Sequence, residues 1–198
     1  MAKPPTILIV PGLRDAVAEH WQTLLEARVA RAGRAVASVP PLGRTELALS
    51  RRIAALEQAA RAIEGPMLLV AHSGGCITVV HWVRAVLAHV PHKVAGALLA
   101  APPEFDRPLP EGYPTLAELD AAGWLPVPRT RLPFPSLVAA SRNDPLARFD
   151  AVAAMARDWG SRLVDLGEVG HLNPASGYGE WPRAEALIRE LTAPGDER

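Results

Sequence analysis

Six short apolar runs along this chain are separated by longer segments in which apolar residues recur at helical spacing. Runs that stay apolar without alternation are typical of strands buried on both faces. Gly or Pro bounds several of the runs, which limits them to the length of a strand. We therefore predict strands at Thr6–Val10, Ala35–Val39, Met67–Val70, Val94–Ala100, Ser136–Ala140 and Arg162–Leu166.

The segments between these runs predict helices. In the first of them, Trp21, Leu25 and Val29 recur at every fourth position before Gly33 ends the pattern. We predict helices over Val17–Val29, Glu46–Ile63, Cys76–Leu87, Leu116–Ala122, Ala147–Trp159 and Pro182–Leu191. Strands that alternate with helices predict an α/β fold, with a mostly parallel sheet of about six strands and helices on both faces.

The length of 198 residues suits one domain, to which we assign residues 1–192, and we expect residues 193–198 to be frayed. Within it, the proline-rich segment 102–135 leaves room for only one short helix. We interpret this segment as a lid-like loop.

Charge and cysteine content exclude several classes of protein. The 21 basic and 21 acidic residues cancel, so nucleic acid and anionic membranes are not expected as partners. No apolar run near the start is long enough for a signal peptide or a membrane span, and we expect a cytoplasmic location. Cys76 is the only cysteine, which rules out an intrachain disulfide, and we interpret it as a small buried residue rather than a reactive thiol.

The most informative stretch is the third strand and the turn that follows it, at residues 67–75. Ser73 lies between this strand and an apolar helix, with the small residues Ala71 and Gly75 on either side. This is the Gly-x-Ser-x-Gly pattern of a nucleophile elbow with Ala in the first position. The alternative is an ordinary glycine-rich turn between a strand and a helix.

A serine nucleophile needs a base, and the base needs an acid that orients it. Asp144 follows the fifth strand and His171 the sixth, so both should lie on loops at the same sheet edge as Ser73. The order Ser, Asp, His is the one that α/β-hydrolases use. Alternatively, Asp144 caps the next helix and His171 is a polar loop residue.

Other residues of the same types are less suitable partners. Glu168 and Asp165 are rival acids, although a strand interior is a poor place for a catalytic Asp165. His72 is expected to point away from Ser73, and His81, His89 and His92 lie along or after a helix. No pair of these histidines has metal-ligand spacing with a carboxylate or cysteine, so we expect no metal.

An oxyanion hole requires two backbone donors near the serine. Gly74 supplies one N–H at the start of a helix, and the loop after the first strand, where Gly12 allows close approach, supplies the N–H of Leu13. Aromatic and aliphatic residues on nearby loops are candidate pocket walls, although each is equally explained by loop or core packing. The pocket candidates are Gly12, Trp21, Phe105, Tyr113, Trp124, Leu146, Phe149, Tyr178 and Trp181.

Four motifs give the chain a family resemblance over nearly its whole length. They are Val-Pro-Gly at 10–12 with His-Trp-Gln at 20–22, Val-Ala-His-Ser-Gly-Gly at 70–75, Leu-Pro-Phe-Pro-Ser at 132–136 leading to Ala-Ser-Arg-Asn-Asp-Pro at 140–145, and Gly-His-Leu-Asn-Pro-Ala-Ser-Gly-Tyr-Gly-Glu-Trp-Pro at 170–182. With them the chain resembles the small single-domain α/β serine hydrolases of the retinoblastoma-binding protein nine type and their bacterial relatives.

This resemblance implies an α/β-hydrolase fold with a minimal cap and the triad Ser73, Asp144 and His171. Gly74 departs from the larger residue that many hydrolases carry after the serine. The Leu-x-Cys-x-Glu motif of the animal protein is absent, so no interaction with retinoblastoma-type proteins is expected.

The sequence thus predicts a serine hydrolase that cleaves a small ester, thioester or amide through an acyl-enzyme, with no cofactor. Its expected partner is a small acyl substrate. The alternative is a catalytically inactive module that keeps the fold for binding or regulation.

Overall fold

Six strands form one parallel sheet in the computed structural model, which describes residues 4–13, 17–86 and 93–192. The predicted frayed tail, the last residue of the predicted third helix, His89 and His92 lie outside these residues. The strands are β1 (Thr6–Val10), β2 (Val36–Ser38), β3 (Met67–His72), β4 (Val94–Ala100), β5 (Ser136–Ala140) and β6 (Arg162–Asp165). The helices are α1 (Trp21–Arg31), α2 (Leu49–Arg61), α3 (Gly74–Val86), α4 (Leu116–Ala121), α5 (Phe149–Trp159) and α6 (Arg183–Thr192).

The strand order β2-β1-β3-β4-β5-β6 places β3 between β1 and β4. The chain first moves outward from β1 to β2 and then returns to the other side of β1, so the direction of winding reverses between β1 and β3. In a parallel sheet, the crevice at such a reversal lies at the carboxyl ends of the strands and is the usual ligand site. The loop after β1 and the turn after β3 therefore meet at this crevice.

Both faces of the sheet are covered, which explains why the strands are apolar throughout. Leu8 and Leu69 pack on one face with residues of α2, α3 and α5. Their neighbours Ile7 and Leu68 pack on the opposite face with residues of α1 and α6. The predicted α/β class with helices on both faces is confirmed.

The largest differences from the predicted elements are at helix starts. α1 begins four residues later than predicted, at Trp21, because His20 caps it by accepting a hydrogen bond from the Gln22 N–H. α5 begins at Phe149, after a segment in which Leu146 N donates to Asp144 and Arg148 N donates to Glu104. A 3-10 turn at Pro174–Ser176 was not predicted.

The proline-rich segment 102–135 folds against the sheet-and-helix core. Its one helix, α4, starts with a capping box between Thr115 and Glu118. Farther along, Trp124 is fully buried and donates its Nε1–H to the carbonyl oxygen of Leu47 at 2.8 Å. The segment is therefore anchored at its centre, and movement of its first part as a lid stays a prediction.

In the described ranges, no helix has the length and apolar character needed to cross a membrane. Cys76 is fully buried at the start of α3, and burial raises the pKa of its thiol well above the usual value. This agrees with a packing role for the side chain.

Candidate active site

The turn after β3 holds Ser73 in a left-handed backbone conformation, with φ at 54°, that residues other than glycine rarely adopt. Its N–H donates to the carbonyl oxygen of Ala100 at 2.9 Å, and its own carbonyl accepts from the Cys76 N–H at 2.9 Å. These bonds fasten the turn to β4 on one side and to the first turn of α3 on the other. The serine side chain is thereby fixed at the carboxyl edge of the sheet.

Glycine at position 75 is required by close packing against the loop after β1. A methyl carbon placed on Gly75 would lie 2.5 Å from the carbonyl oxygen of Val10 and 2.6 Å from that of Pro11. Both oxygens belong to the backbone, so they can move only with the end of β1 and the loop that follows it. The small residue at this position of the elbow pattern thus has a steric cause in this chain.

Ser73, His171 and Asp144 form a continuous chain of hydrogen bonds. Ser73 Oγ lies 2.8 Å from His171 Nε2, and His171 Nδ1 lies 2.9 Å from Asp144 Oδ2. The His171 and Asp144 side chains are only 5% and 3% exposed. Because an ionised carboxylate only accepts hydrogen bonds, it favours the tautomer with the proton on Nδ1 and leaves Nε2 free to accept from the serine hydroxyl.

Asp144 also performs the local role that was its alternative interpretation. Its Oδ1 accepts a hydrogen bond from the Leu146 N–H at 2.8 Å, ahead of α5. The same carboxylate therefore holds the turn after β5 and faces His171. Of the rival acids, Asp165 pairs instead with the exposed Arg142 guanidinium, at 2.6 Å.

Neighbouring side chains fix the backbone around His171. Asn143 Oδ1 accepts from the Gly170 N–H at 2.6 Å, and Ser176 Oγ accepts from the His171 N–H at 3.0 Å. His72 Nε2 lies 2.9 Å from the carbonyl oxygen of His171 and donates to it. The loop that carries His171 is thus held at three successive backbone groups.

His72 lies nearer to the site than predicted. Its ring centroid is 5.0 Å from that of His171 and 4.8 Å from that of His20, which lines the cavity. Burial, and after it the unfavourable electrostatic interaction with His171, holds the pKa of His72 well below its usual value and lowers the pKa of His20 to about 4. Both rings are neutral near pH 7, so neither places a positive charge beside His171.

The two predicted oxyanion donors lie next to each other. A methyl carbon placed on Gly74 would be 3.4 Å from the backbone nitrogen of Leu13, and one placed on Gly12 would be 3.6 Å from Ser73 Oγ. Gly74 is the first residue of α3, where an N–H has no acceptor within the helix. The backbones of both donor segments therefore border the serine.

A cavity of about 190 Å³ opens onto Ser73 and His171. Of the predicted wall residues, Gly12, Phe105, Tyr113 and Leu146 line it. Residues that the sequence did not suggest as walls also contribute: Pro11, Leu13, Val17, His20, Gln22, Arg44, His72, Pro103, Leu109, Asn173, Pro174 and Ala175. Apolar side chains and prolines form most of this surface.

Three predicted wall residues, Trp21, Trp124 and Trp181, are not part of the cavity lining, which corrects that expectation. Trp21 is 1% exposed and packs edge to face against Trp181 at 4.8 Å, between α1 and the start of α6. Trp124 packs edge to face behind Phe105 at 5.9 Å. Tyr178 and Phe149 likewise pack against the cores rather than lining the cavity. Large aromatic residues gain most by full burial, so a tryptophan near a motif in sequence is often a core residue.

Gln22 is a site neighbour that sequence reasoning missed. Its Nε2 donates to the carbonyl oxygens of Val10 at 3.1 Å and Val70 at 3.0 Å, and the side chain is buried. It therefore joins β1 and β3 near their carboxyl ends, three residues before Leu13 and Ser73. The signal in the sequence was a polar residue at a core-facing position in the first turn of a helix.

The order of the strands and the elbow after β3 define the fold as that of the α/β hydrolases. The model of the serine hydrolase family matches residues 7–190, and the chain belongs to this family. The comparison with curated proteins gave no match.

Solved structures with the same fold include a YdeN-like hydrolase of Pectobacterium atrosepticum, which is 30% identical with a TM-score of 0.78, the alignment covering 96% of this chain and 91% of that one. The ydeN gene product of Bacillus subtilis is 19% identical, with a TM-score of 0.74 and coverage of 96% and 100%. Est1E of Butyrivibrio proteoclasticus, solved with ferulic acid bound, is 13% identical, with a TM-score of 0.67 and coverage of 96% and 87%.

Proposed function

We propose that this serine hydrolase cleaves a small ester, thioester or amide through an acyl-enzyme on Ser73. The observation that carries the proposal is the hydrogen-bond chain from Ser73 Oγ to His171 Nε2 at 2.8 Å and from His171 Nδ1 to Asp144 at 2.9 Å. A hydroxyl is a poor nucleophile unless a base removes its proton, and this chain supplies the base and the group that orients it.

In the first half-reaction Ser73 Oγ attacks the carbonyl carbon while its proton passes to His171 Nε2. The resulting oxyanion accepts hydrogen bonds from the N–H groups of Gly74 and Leu13. When the intermediate collapses, the bond to the leaving group breaks and His171 returns the proton to that group. Asp144 stabilises the imidazolium throughout.

In the second half-reaction water replaces the leaving group. His171 takes a proton from the water as its oxygen attacks the acyl carbon, and the same two N–H groups hold the second oxyanion. The bond from the acyl carbon to Ser73 Oγ then breaks and Ser73 regains its proton. The reaction needs neither a metal ion nor a cofactor.

The cavity supports a small and mainly apolar acyl group. Its volume of about 190 Å³ lies below the roughly 300–1,000 Å³ of typical drug-sized ligand sites. Carboxylesterase-like activity on short acyl chains is therefore the favoured form of the proposal. Kinship with the retinoblastoma-binding protein nine type is part of the same proposal, and the cytoplasmic location stays a prediction.

The test is the intact mass of the protein after treatment with a fluorophosphonate, which reacts with activated serines. We expect one adduct that maps to Ser73, is absent in Ser73→Ala and forms far more slowly in His171→Ala. Ser50→Ala is the matched control, because Ser50 is exposed on α2. A folded wild-type protein that forms no adduct would refute the proposal and favour the inactive binding module.

A further inference from the structure

Arg52 on α2 is a buried cation that donates hydrogen bonds to several backbone carbonyls. It is 8% exposed. Its Nη1 donates to the Gly12 oxygen at 3.3 Å, and its Nη2 donates to the Glu46 oxygen at 2.6 Å. Longer contacts of 3.4 Å reach the oxygens of Leu13 and Gly43. Burying a guanidinium is costly unless its donors are satisfied, so this position calls for an explanation.

The contact with Gly12 determines the direction of a neighbouring N–H group. In a planar trans peptide the carbonyl oxygen of one residue and the N–H of the next point in opposite directions. The Gly12 oxygen points toward Arg52, so the N–H of Leu13 points away from Arg52. A rotation of this peptide would instead turn the carbonyl oxygen away from Arg52 and leave the guanidinium without that acceptor.

The other side of the same peptide borders the nucleophile. The backbone nitrogen of Leu13 lies near Gly74, and Gly12 lies near Ser73, at the separations given above. The peptide between Gly12 and Leu13 thus lies between Arg52 and the serine. A guanidinium bonded to its oxygen also polarises the peptide, which strengthens the N–H as a hydrogen-bond donor.

We infer that Arg52 is a positioning residue that orients and polarises the Leu13 N–H as an oxyanion donor, an inference that rests on the proposed function. Arg52 is not among the residues that line the cavity. It acts through the backbone of the loop after β1, and it joins this loop to the segment that leads into α2. Its fork of donors reaches several carbonyls at once, which a lysine ammonium cannot do in the same geometry.

The experiment compares wild type, Arg52→Met, Arg52→Lys and the control Arg61→Met, which removes an arginine that is 76% exposed at the other end of α2. Thermal unfolding checks the fold of each variant. Two readouts follow: the maximal rate and the half-saturating concentration of Ser73 labelling by a fluorophosphonate, and the Kd of a trifluoromethyl ketone, which forms an anionic adduct with an activated serine.

We expect Arg52→Met to lower the maximal labelling rate about 10- to 100-fold, less than the roughly 10²- to 10³-fold loss on removing a donor outright. Ketone affinity should fall by a similar factor, because both adducts resemble the oxyanion transition state. The half-saturating concentration should stay within about twofold, since ground-state binding does not use the oxyanion donors. Arg52→Lys should lie between Arg52→Met and wild type, and Arg61→Met should match wild type.

A folded Arg52→Met protein with wild-type labelling rate and ketone affinity would overturn the inference. So would a loss confined to the half-saturating concentration. If Arg52→Met does not fold, Arg52→Lys decides, and wild-type values in that variant overturn the inference. Absence of any Ser73 adduct in the wild type would overturn the proposed function, and the inference with it. This outcome is seen in the wild-type protein itself, so it is distinguished from failure of the inference alone, which is seen only in the Arg52 variants.

Discussion

The two sides of Ser73 are held in place by different means. On the side of the proposed base, side chains bond one another and the loop backbone, as His171 does with Asp144 and as Asn143 does with Gly170. On the side of the proposed oxyanion donors, backbone packs on backbone, with Gly75 against the carbonyl oxygens of Val10 and Pro11. The first arrangement leaves a recognisable set of polar residues in the sequence, whereas the second leaves only glycines and a distant arginine.

The largest expected effect breaks the side-chain network. Asp144→Asn should lower the rate of Ser73 acylation by roughly 10³- to 10⁴-fold, because an amide no longer favours the tautomer of His171 that leaves Nε2 unprotonated. The rate of fluorophosphonate labelling measures this loss. Asp158→Asn is the control, since Asp158 is exposed and pairs with Arg129. A loss below about tenfold in Asp144→Asn would contradict the proposed role.

The backbone side is tested by adding one methyl group at two adjacent glycines. Gly75→Ala should lower the free energy of unfolding by about 1–3 kcal/mol, because two rigid carbonyl oxygens must move. In Gly74→Ala the close contacts are with the side chain of Leu13, whose Cγ lies at 2.8 Å, while the Leu13 backbone nitrogen lies at 3.4 Å. This variant should cost less stability while slowing Ser73 labelling through displacement of Leu13. Urea denaturation and labelling rates measure both. Equal stability of the two variants would show that the loop after β1 yields as easily as a side chain.

His72→Phe tests whether the position of His171 depends on the hydrogen bonds to its backbone. Phenylalanine keeps a ring in the buried position but removes the hydrogen bond to the His171 carbonyl oxygen, which should cost about 1–3 kcal/mol of stability and slow Ser73 labelling. His81→Phe is a matched control, because His81 bonds the carbonyl oxygen of Trp124 at 3.1 Å outside the site. We expect the control to lose stability without losing labelling rate. Equal labelling rates in both variants would refute a site-specific role for His72.

The smallest expected effect concerns pH and His20. Because the folded protein lowers the pKa of His20 to about 4, the unfolded chain binds this proton first as the pH falls below about 6.5. More protons on the unfolded state mean that stability decreases from about pH 6.5 toward pH 4. His20→Phe should flatten part of that decrease, as measured by urea denaturation at pH 7 and pH 5. An unchanged slope would show that His20 is charged in the folded protein.

Much of the fold could be predicted from local pattern. The bounds of β1, β4 and β5 are as predicted, since polar or turn residues at the ends of a continuous apolar run mark where the strand begins and ends. Helix starts were less predictable because long-range bonds set them, as Glu104 does for the backbone at Arg148. The 3-10 turn at Pro174–Ser176 depends on Asn173, whose side chain accepts from the Ser176 N–H.

The sequence by itself determined the α/β class and the order in which Ser73, Asp144 and His171 follow their strands, because periodicity and chain order are local properties. Only the tertiary structure decided that Trp21, Trp124 and Trp181 are core residues, that Arg52 adjoins the site and that His72 contacts His171. Those facts depend on which strands become neighbours. The placement of β3 between β1 and β4 brings the loop after β1 beside the serine, and no local pattern records the contacts made there.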